Sequence, residues 1–277
     1  VSERDAPIGI FDSGFGGLTV ARAIAELLPE EQLIYLADTA RAPYGPRPIA
    51  QVRAYALECL DRLVDYGVKV LVIACNSASA AVLHDARERY PVPVVEVIAP
   101  AVRRAVAATH TGRVGVICTQ ATATSRSYDD ALAAAPHIEL TTQAAPRFVD
   151  FVEAGITTGD EVLAAARDYL APLQAQQIDT LILGCTHYPL LRGALSYVLG
   201  EGVQLVSSAE ECAQETYRLL VRRGLTRTAP GEPTHRFLTT GNVEQFETLG
   251  RQLLGGFVSD VESPFATPAR GDAAPLE

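Results

Sequence analysis

Two stretches decide the fold: Val70-Leu-Val-Ile-Ala-Cys75-Asn-Ser-Ala-Ser79 and Thr180-Leu-Ile-Leu-Gly-Cys185-Thr-His-Tyr-Pro189. Each opens with an apolar, partly β-branched run short enough for a buried strand, then breaks into small and polar residues where a helical pattern begins. Each therefore sets one cysteine at the carboxyl end of a strand. Working outward, a shift of 110 positions lays Leu60 on Leu170, Leu63 on Leu173, Val68 on Ile178, Leu71 on Leu181 and Val72 on Ile182. A shift of 106 lays Ile8-Gly-Ile-Phe-Asp12-Ser13 on Val114-Gly-Val-Ile-Cys118-Thr119. Similarity at a period of about a hundred residues is too long for a solenoid repeat and marks two similar domains. The expected fold class is α/β: two pseudo-symmetric domains, each a mainly parallel sheet flanked by helices, with the active site in the cleft between them. Residues 1–98 with 207–263 are expected to form the first domain and 99–206 the second, and the tail 264–277 has a disorder-prone composition.

With 277 residues, 48% of them hydrophobic, the chain can bury a large core. No apolar run approaches the roughly 18 to 20 residues that span a bilayer. The start, Val1-Ser-Glu-Arg-Asp-Ala-Pro7, lacks the basic-then-apolar pattern of a signal peptide, so a cytoplasmic location is expected. A net charge of −10 without a clustered basic patch argues against a nucleic-acid partner. The five cysteines, at 59, 75, 118, 185 and 212, show neither a CxxC nor a Cys/His pair at zinc-site spacing, so free thiols and no metal are expected. Lys69 is the single lysine, and it lies at the entrance of a strand, away from its active end. That placement speaks against a pyridoxal Schiff base or a P-loop.

Along the chain, strands are predicted over 7–12, 32–37, 70–74, 91–98, 113–118, 138–142, 178–184, 203–206 and 235–240. The helices between them include 79–89, 124–135, 147–154 and 209–223. Cys59, Cys118 and Cys212 read as core thiols. His84 reads as a surface or packing residue of its helix, and His235 as an ordinary residue at a strand edge.

Parallel α/β sheets bind ligands at the carboxyl ends of their strands. Asp12, the loop from Asp38 to Gly45, Cys75 to Ser77, Glu153, and Cys185 to His187 all fall in or near such loops. The turn Ser13-Gly-Phe-Gly-Gly17 lacks the last glycine of a dinucleotide fingerprint and reads as an amide-rich helix start suited to a carboxylate. A lone cysteine at a strand end is often a small buried residue. Two at equivalent repeat positions, followed by Asn76 and Ser77 and by Thr186 and His187, point instead to matched acid/base groups that serve opposite faces of one carbon. That chemistry is racemisation. A thiol works as a base only with a tuned neighbour, a part Asp12 can play near Cys75, and His187 or Glu153 near Cys185. Without pyridoxal phosphate or metal, oriented donors in the glycine-rich turn and the hydroxyls after each cysteine must stabilise the carbanion.

Phe11-Asp-Ser-Gly-Phe-Gly-Gly17, Ala37-Asp-Thr-Ala-Arg-Ala-Pro-Tyr-Gly45, Cys75-Asn-Ser-Ala-Ser79 and Gly184-Cys-Thr-His-Tyr-Pro-Leu190 together closely resemble the motifs of the bacterial glutamate racemases. The resemblance runs from about Ile8 to Phe257. It implies a cofactor-independent racemase of two α/β domains that makes D-glutamate for peptidoglycan. Carried over by motif, it makes Cys75 and Cys185 the acid/base pair and Asp12, His187 and Glu153 their helpers, with Glu153 in the looser match. The same carry-over gives substrate binding to Asp12, Ser13, Tyr44, Gly45, Asn76, Ser77, Thr186 and His187. Ser77 stands where the family commonly has threonine, which keeps the hydroxyl. Glutamate is the implied small-molecule partner; neither a nucleic acid nor a membrane is expected, and homodimer formation stays open. The rival readings are a racemase of aspartate or another small acid, and a two-lobed binder of an acidic amino acid.

Overall fold

The computed structural model describes residues 3–264. In chain order its strands and helices are β1 (Ile8–Asp12), α1 (Leu18–Leu27), β2 (Leu33–Ala37), α2 (Ile49–Asp65), β3 (Val70–Ile73), α3 (Asn76–Arg89), β4 (Val94–Glu96), α4 (Ile98–Ala108), β5 (Arg113–Cys118), α5 (Gln120–Ser125), α6 (Ser127–Leu132), β6 (Glu139–Ala144), α7 (Arg147–Glu153), α8 (Asp160–Ala175), β7 (Thr180–Gly184), α9 (Arg192–Leu199), β8 (Gln204–Ser207), α10 (Ser208–Arg223), β9 (Arg236–Thr239), α11 (Val243–Leu254) and β10 (Val261–Glu262). One sheet has the order β10-β9-β2-β1-β3-β4 and the other β6-β5-β7-β8. Every ladder is parallel. The run β2-β1-β3-β4 has the same order as β6-β5-β7-β8, so the sequence repeat is a repeat of structure, with β9 and β10 added at the edge of the first sheet.

Side-chain alternation along the strands builds the layers. Ile8 and Ile10, Val70 and Val72, Val114 and Val116, and Ile182 and Val206 face one continuous buried cluster that also takes in residues of α1, α4 and α10. Phe11, Leu71 and Ile73 face the other way, against Val52, Leu60 and Leu63 of α2 and Val82 of α3. Ile117, Leu181 and Leu183 do the same in the second sheet, against Phe148, Val162 and Leu170. A helical layer thus lies between the sheets, and the strand ends that carry the motifs face a common space.

Four expectations shift. The expected strand 91–98 is only β4, because the Glu96 carboxylate accepts from the backbone N–H of Ile98 (2.5 Å) and Ala99 (2.9 Å) and starts α4 two residues later. The expected helix 124–135 is two short helices broken at Arg126, whose φ of 56° is left-handed. The helix expected from Ser79 starts at Asn76, directly after Cys75. Strand β10 was not anticipated. The tail expectation falls, apart from Pro264, outside the described residues.

The lysine is spent on structure: Lys69 Nζ donates to Glu31 Oε2 (2.5 Å) and to the carbonyls of Arg4 (2.6 Å) and Leu225 (2.8 Å). Cys118 and Cys212 are fully buried in the shared core, and Cys59 is buried with Arg41 Nη2 3.6 Å from its sulfur. His84 is exposed beside Glu88, whereas His235 packs on Phe257 just before β9. Among the described residues no helix is long and apolar enough to cross a membrane.

Candidate active site

Because both sheets are parallel, the loops after β1, β2, β3, β5, β6 and β7 open toward one another. They enclose a cavity of about 160 Å³ lined by Ser13, Tyr44, Gly45, Cys75, Asn76, Ser77, Glu153, Cys185, Thr186 and His187, among others. Ten of the eleven residues singled out from sequence therefore line one space, contributed from both sheets. The eleventh, Asp12, is buried just beneath it, with Thr186 Oγ1 3.5 Å from its Oδ1.

Cys75 is the N-cap of α3, and its Sγ accepts from the N–H of Ala78 (3.4 Å) while lying 3.5 Å from Ser13 Oγ. Burial, reinforced by the Asp12 charge, pushes this thiol up to about 12, so it is held protonated. Cys185 has a different neighbour. Its Sγ lies 3.6 Å from His187 Nδ1, and His187 Nε2 lies 3.2 Å from Glu153 Oε1. Burial disfavours an imidazolium, but the contacts with Cys185 and Glu153 outweigh it and push His187 up to about 10. One thiol thus sits at a helix start and the other beside a charged imidazole.

One amide of the glycine-rich turn, which reads from sequence as suited to a carboxylate, is taken up within the chain. Gly14 N–H donates to the chain's own Asp12 Oδ2 at 2.8 Å. Burial pushes the Asp12 carboxyl up against the opposing charge of His187 and the N–H groups of Gly14 and Gly17. Gly16 fills another need: a Cβ there would lie 2.3 Å from Thr186 Oγ1 and 2.5 Å from His187 Nδ1, so the two loops meet only because this residue has none.

The Tyr44 phenol is turned away from solvent to donate to Asp38, and burial together with the Asp38 charge pushes it up, keeping it neutral. Gly45 is sewn to the second sheet's side by its carbonyl, which accepts from Ala121 N–H at 2.9 Å. Ser77 Oγ lies 2.9 Å from Thr119 Oγ1, which is itself 3.2 Å from Thr122 Oγ1.

Thr119, Gln120, Val149 and Asp150 also line the cavity and were not singled out from sequence. The repeat held the signal for Thr119, since the shift of 106 that aligns Asp12 with Cys118 places it on Ser13.

Two facing thiols at the strand ends of a duplicated α/β fold, with hydroxyl, amide and imidazole groups around one small cavity, define an enzyme that moves protons on a small polar molecule. Residues 8–216 match the family model described as Asp/Glu/Hydantoin racemase. The chain is 63% identical over 270 residues to the glutamate racemase of Parafrankia sp. (strain EAN1pec), covering 97% of this chain and 98% of that one. Its fold matches a glutamate racemase isoform from Bacillus anthracis with a TM-score of 0.90 and 39% identity, over 94% of this chain and 97% of that one. A glutamate racemase from Francisella tularensis subsp. tularensis SCHU S4, solved in complex with D-glutamate, matches with a TM-score of 0.88 and 33% identity over the same shares. The chain belongs to the glutamate racemases of the Asp/Glu/Hydantoin racemase family.

Proposed function

We propose that this protein interconverts L- and D-glutamate by two-base proton transfer between Cys75 and Cys185, with no cofactor, in the cytoplasm, and that its D-glutamate supplies peptidoglycan synthesis. The observation that carries the reading is the placement of the two thiols, one from each sheet, on one cavity. In one direction a Cys185 thiolate takes the α-proton, the C–H electron pair passes into the adjoining carboxylate, and the Cys75 thiol returns a proton to the opposite face. The reverse direction exchanges the roles. His187 is held charged by Cys185 and Glu153, whereas burial and the Asp12 charge keep the proton on Cys75. Ser13, Asn76, Ser77 and Thr186 offer polar groups to the substrate, and donors among them stabilise charge on its carboxylate in the transition state. Asp12 acts from below on both sides, since it is bonded toward Thr186 and its charge reaches Cys75. The units 1–98 with 207–263 and 99–206 each supply one thiol.

The test is incubation of the protein with L-glutamate in deuterated water, no cofactor added, following loss of the α-proton signal and of optical rotation. Exchange accompanied by racemisation is expected. Intact α-protons and unchanged rotation after prolonged incubation would defeat the reading.

A further inference from the structure

Asn76 opens α3, is 3% exposed and is among the residues that line the cavity. Its carboxamide is used at one end. Tyr128 Oη, on the first turn of α6, donates to Asn76 Oδ1 at 2.7 Å, whereas the Nδ2 amino group is buried without a partner. A buried donor with no acceptor is rare and costly in a folded protein, and one lining a ligand cavity is accounted for when the ligand supplies the acceptor. The two ends of a carboxamide are alike in shape and differ in hydrogen bonding; here Tyr128 gives its O–H to Oδ1, which leaves Nδ2 as the free end. Tyr128 is itself 2% exposed, and a buried phenol needs a partner as much as the amide does. Gly184 keeps the place free: a Cβ there would lie 3.0 Å from Tyr128 Oη. Burial raises the phenol well above its ordinary range, so it remains a neutral donor.

We propose that Tyr128 is a positioning residue for racemisation: by donating to Asn76 Oδ1 from the opposite unit, it turns Asn76 Nδ2 into the cavity to bind a carboxylate oxygen of the substrate. The proposal rests on the reading of the cavity as the glutamate site. It adds a contact between the units, because the substrate donor on α3 is aimed by a side chain of α6.

The test is a double-mutant cycle with Tyr128→Phe, Asn76→Ala and the double variant, reading kcat/KM from each enantiomer. Each single change is expected to lower kcat/KM roughly tenfold, the usual effect of one lost hydrogen bond to a charged group. The double variant is expected to be no worse than Asn76→Ala alone, because Tyr128 acts through Asn76. Losses that multiply, to about a hundredfold, would overturn the proposal and leave Tyr128 a packing residue.

A second measurement needs no variant. Asn76 and Asn242 are the chain's two asparagines, and Asn242 caps α11 with its own side chain. Protein labelled with nitrogen-15 asparagine therefore shows two side-chain amide pairs. Saturation with D-glutamate is expected to shift the Asn76 pair and protect it from exchange while the Asn242 pair stays in place. An unmoved Asn76 pair in protein that racemises glutamate would sink the proposal alone; protein that neither binds nor racemises glutamate would sink the functional reading beneath it.

Discussion

His187 Nδ1 lies 3.6 Å from Cys185 Sγ, and the same ring reaches Glu153 Oε1 with its other nitrogen at 3.2 Å. Cys75 meets the Ser13 hydroxyl and the Ala78 N–H instead. The two halves of the site are therefore alike in backbone and unlike in chemistry. A symmetric equilibrium is served by two unequal proton carriers, and the inequality should be visible in isotope effects measured from each side, since an equilibrium constant of unity keeps kcat/KM equal in the two directions.

His187→Asn should accordingly slow the proton-transfer step at Cys185 more than the step at Cys75, raising the isotope effect most for the enantiomer that Cys185 deprotonates. The fall in kcat/KM, roughly ten- to a hundredfold and in the range of general acid–base effects, must be equal from both enantiomers, so the bias appears in which proton transfer limits the rate. Primary isotope effects with α-deuterated L- and D-glutamate measure it. Equal effects from both sides would reduce His187 to a substrate contact.

The imidazolium also links folding to pH. His187 is raised from 6.5 to about 10 in the folded chain. A raised value means that folding favours the protonated ring, so its contribution is fully present below about pH 6.5 and is lost as pH climbs through about 10. The gap in Tm between the unmutated protein and His187→Gln should therefore narrow from about pH 6 to about pH 10.5. A gap that widened over this window would mean the ring is buried neutral.

Replacing Cys75 or Cys185 by serine should abolish racemisation, because a serine hydroxyl is far too weak an acid and base for these steps. The remaining thiols should matter only for packing. Cys212→Ala and Cys118→Ala remove fully buried sulfur from the shared core and should each cost about 1–2 kcal/mol by chemical denaturation, with turnover retained. Turnover in Cys75→Ser or Cys185→Ser, measured on homogeneous protein, would refute the two-base assignment.

The parts of this molecule that were readable in the sequence are those fixed by short-range pattern. Val70–Ile73 and Thr180–Gly184 are β-branched or apolar runs ended by small polar residues, and the repeat made their cysteines equivalent. What escaped was decided by local backbone turns and side-chain-to-backbone hydrogen bonds that hydrophobic pattern does not report. Nothing local marks the left-handed turn at Arg126, because the residue is not glycine, and reading through it hid the helix start that carries Tyr128. The apolar Val97 and Ile98 continue a strand pattern, and the Glu96 carboxylate, folding onto the amides of Ile98 and Ala99, ends it. The glycine-rich turn reads as an anion site because its amides are plentiful; that Asp12 accepts from the one at Gly14 is a local turn that a carboxylate two positions earlier permits but does not dictate.

A contact between the start of α1 and the loop after Cys185 supplies the last prediction. Thr19 Oγ1 shares its one hydroxyl hydrogen between Gly16 O (2.8 Å) and Thr186 O (3.0 Å), tying the start of α1 to the loop after Cys185. A Cβ on Gly16 would fall 2.3 Å from Thr186 Oγ1 and 2.5 Å from His187 Nδ1, far inside contact distance, so Gly16→Ala must push this loop away from α1. Displacement of order an ångström at reacting groups costs about a hundredfold in rate. Gly16→Ala should thus lose about that factor in kcat from both enantiomers, because the shift moves Cys185 relative to Cys75 and not one proton helper alone. Gly193→Ala is the matched control: it lies in α9 with nothing within 4 Å of the added carbon, and helix propensity makes it neutral or stabilising by up to about 1 kcal/mol. Unimpaired turnover in Gly16→Ala, with its far-UV spectrum unchanged, would show that the site tolerates a looser seam between its halves than the structure displays.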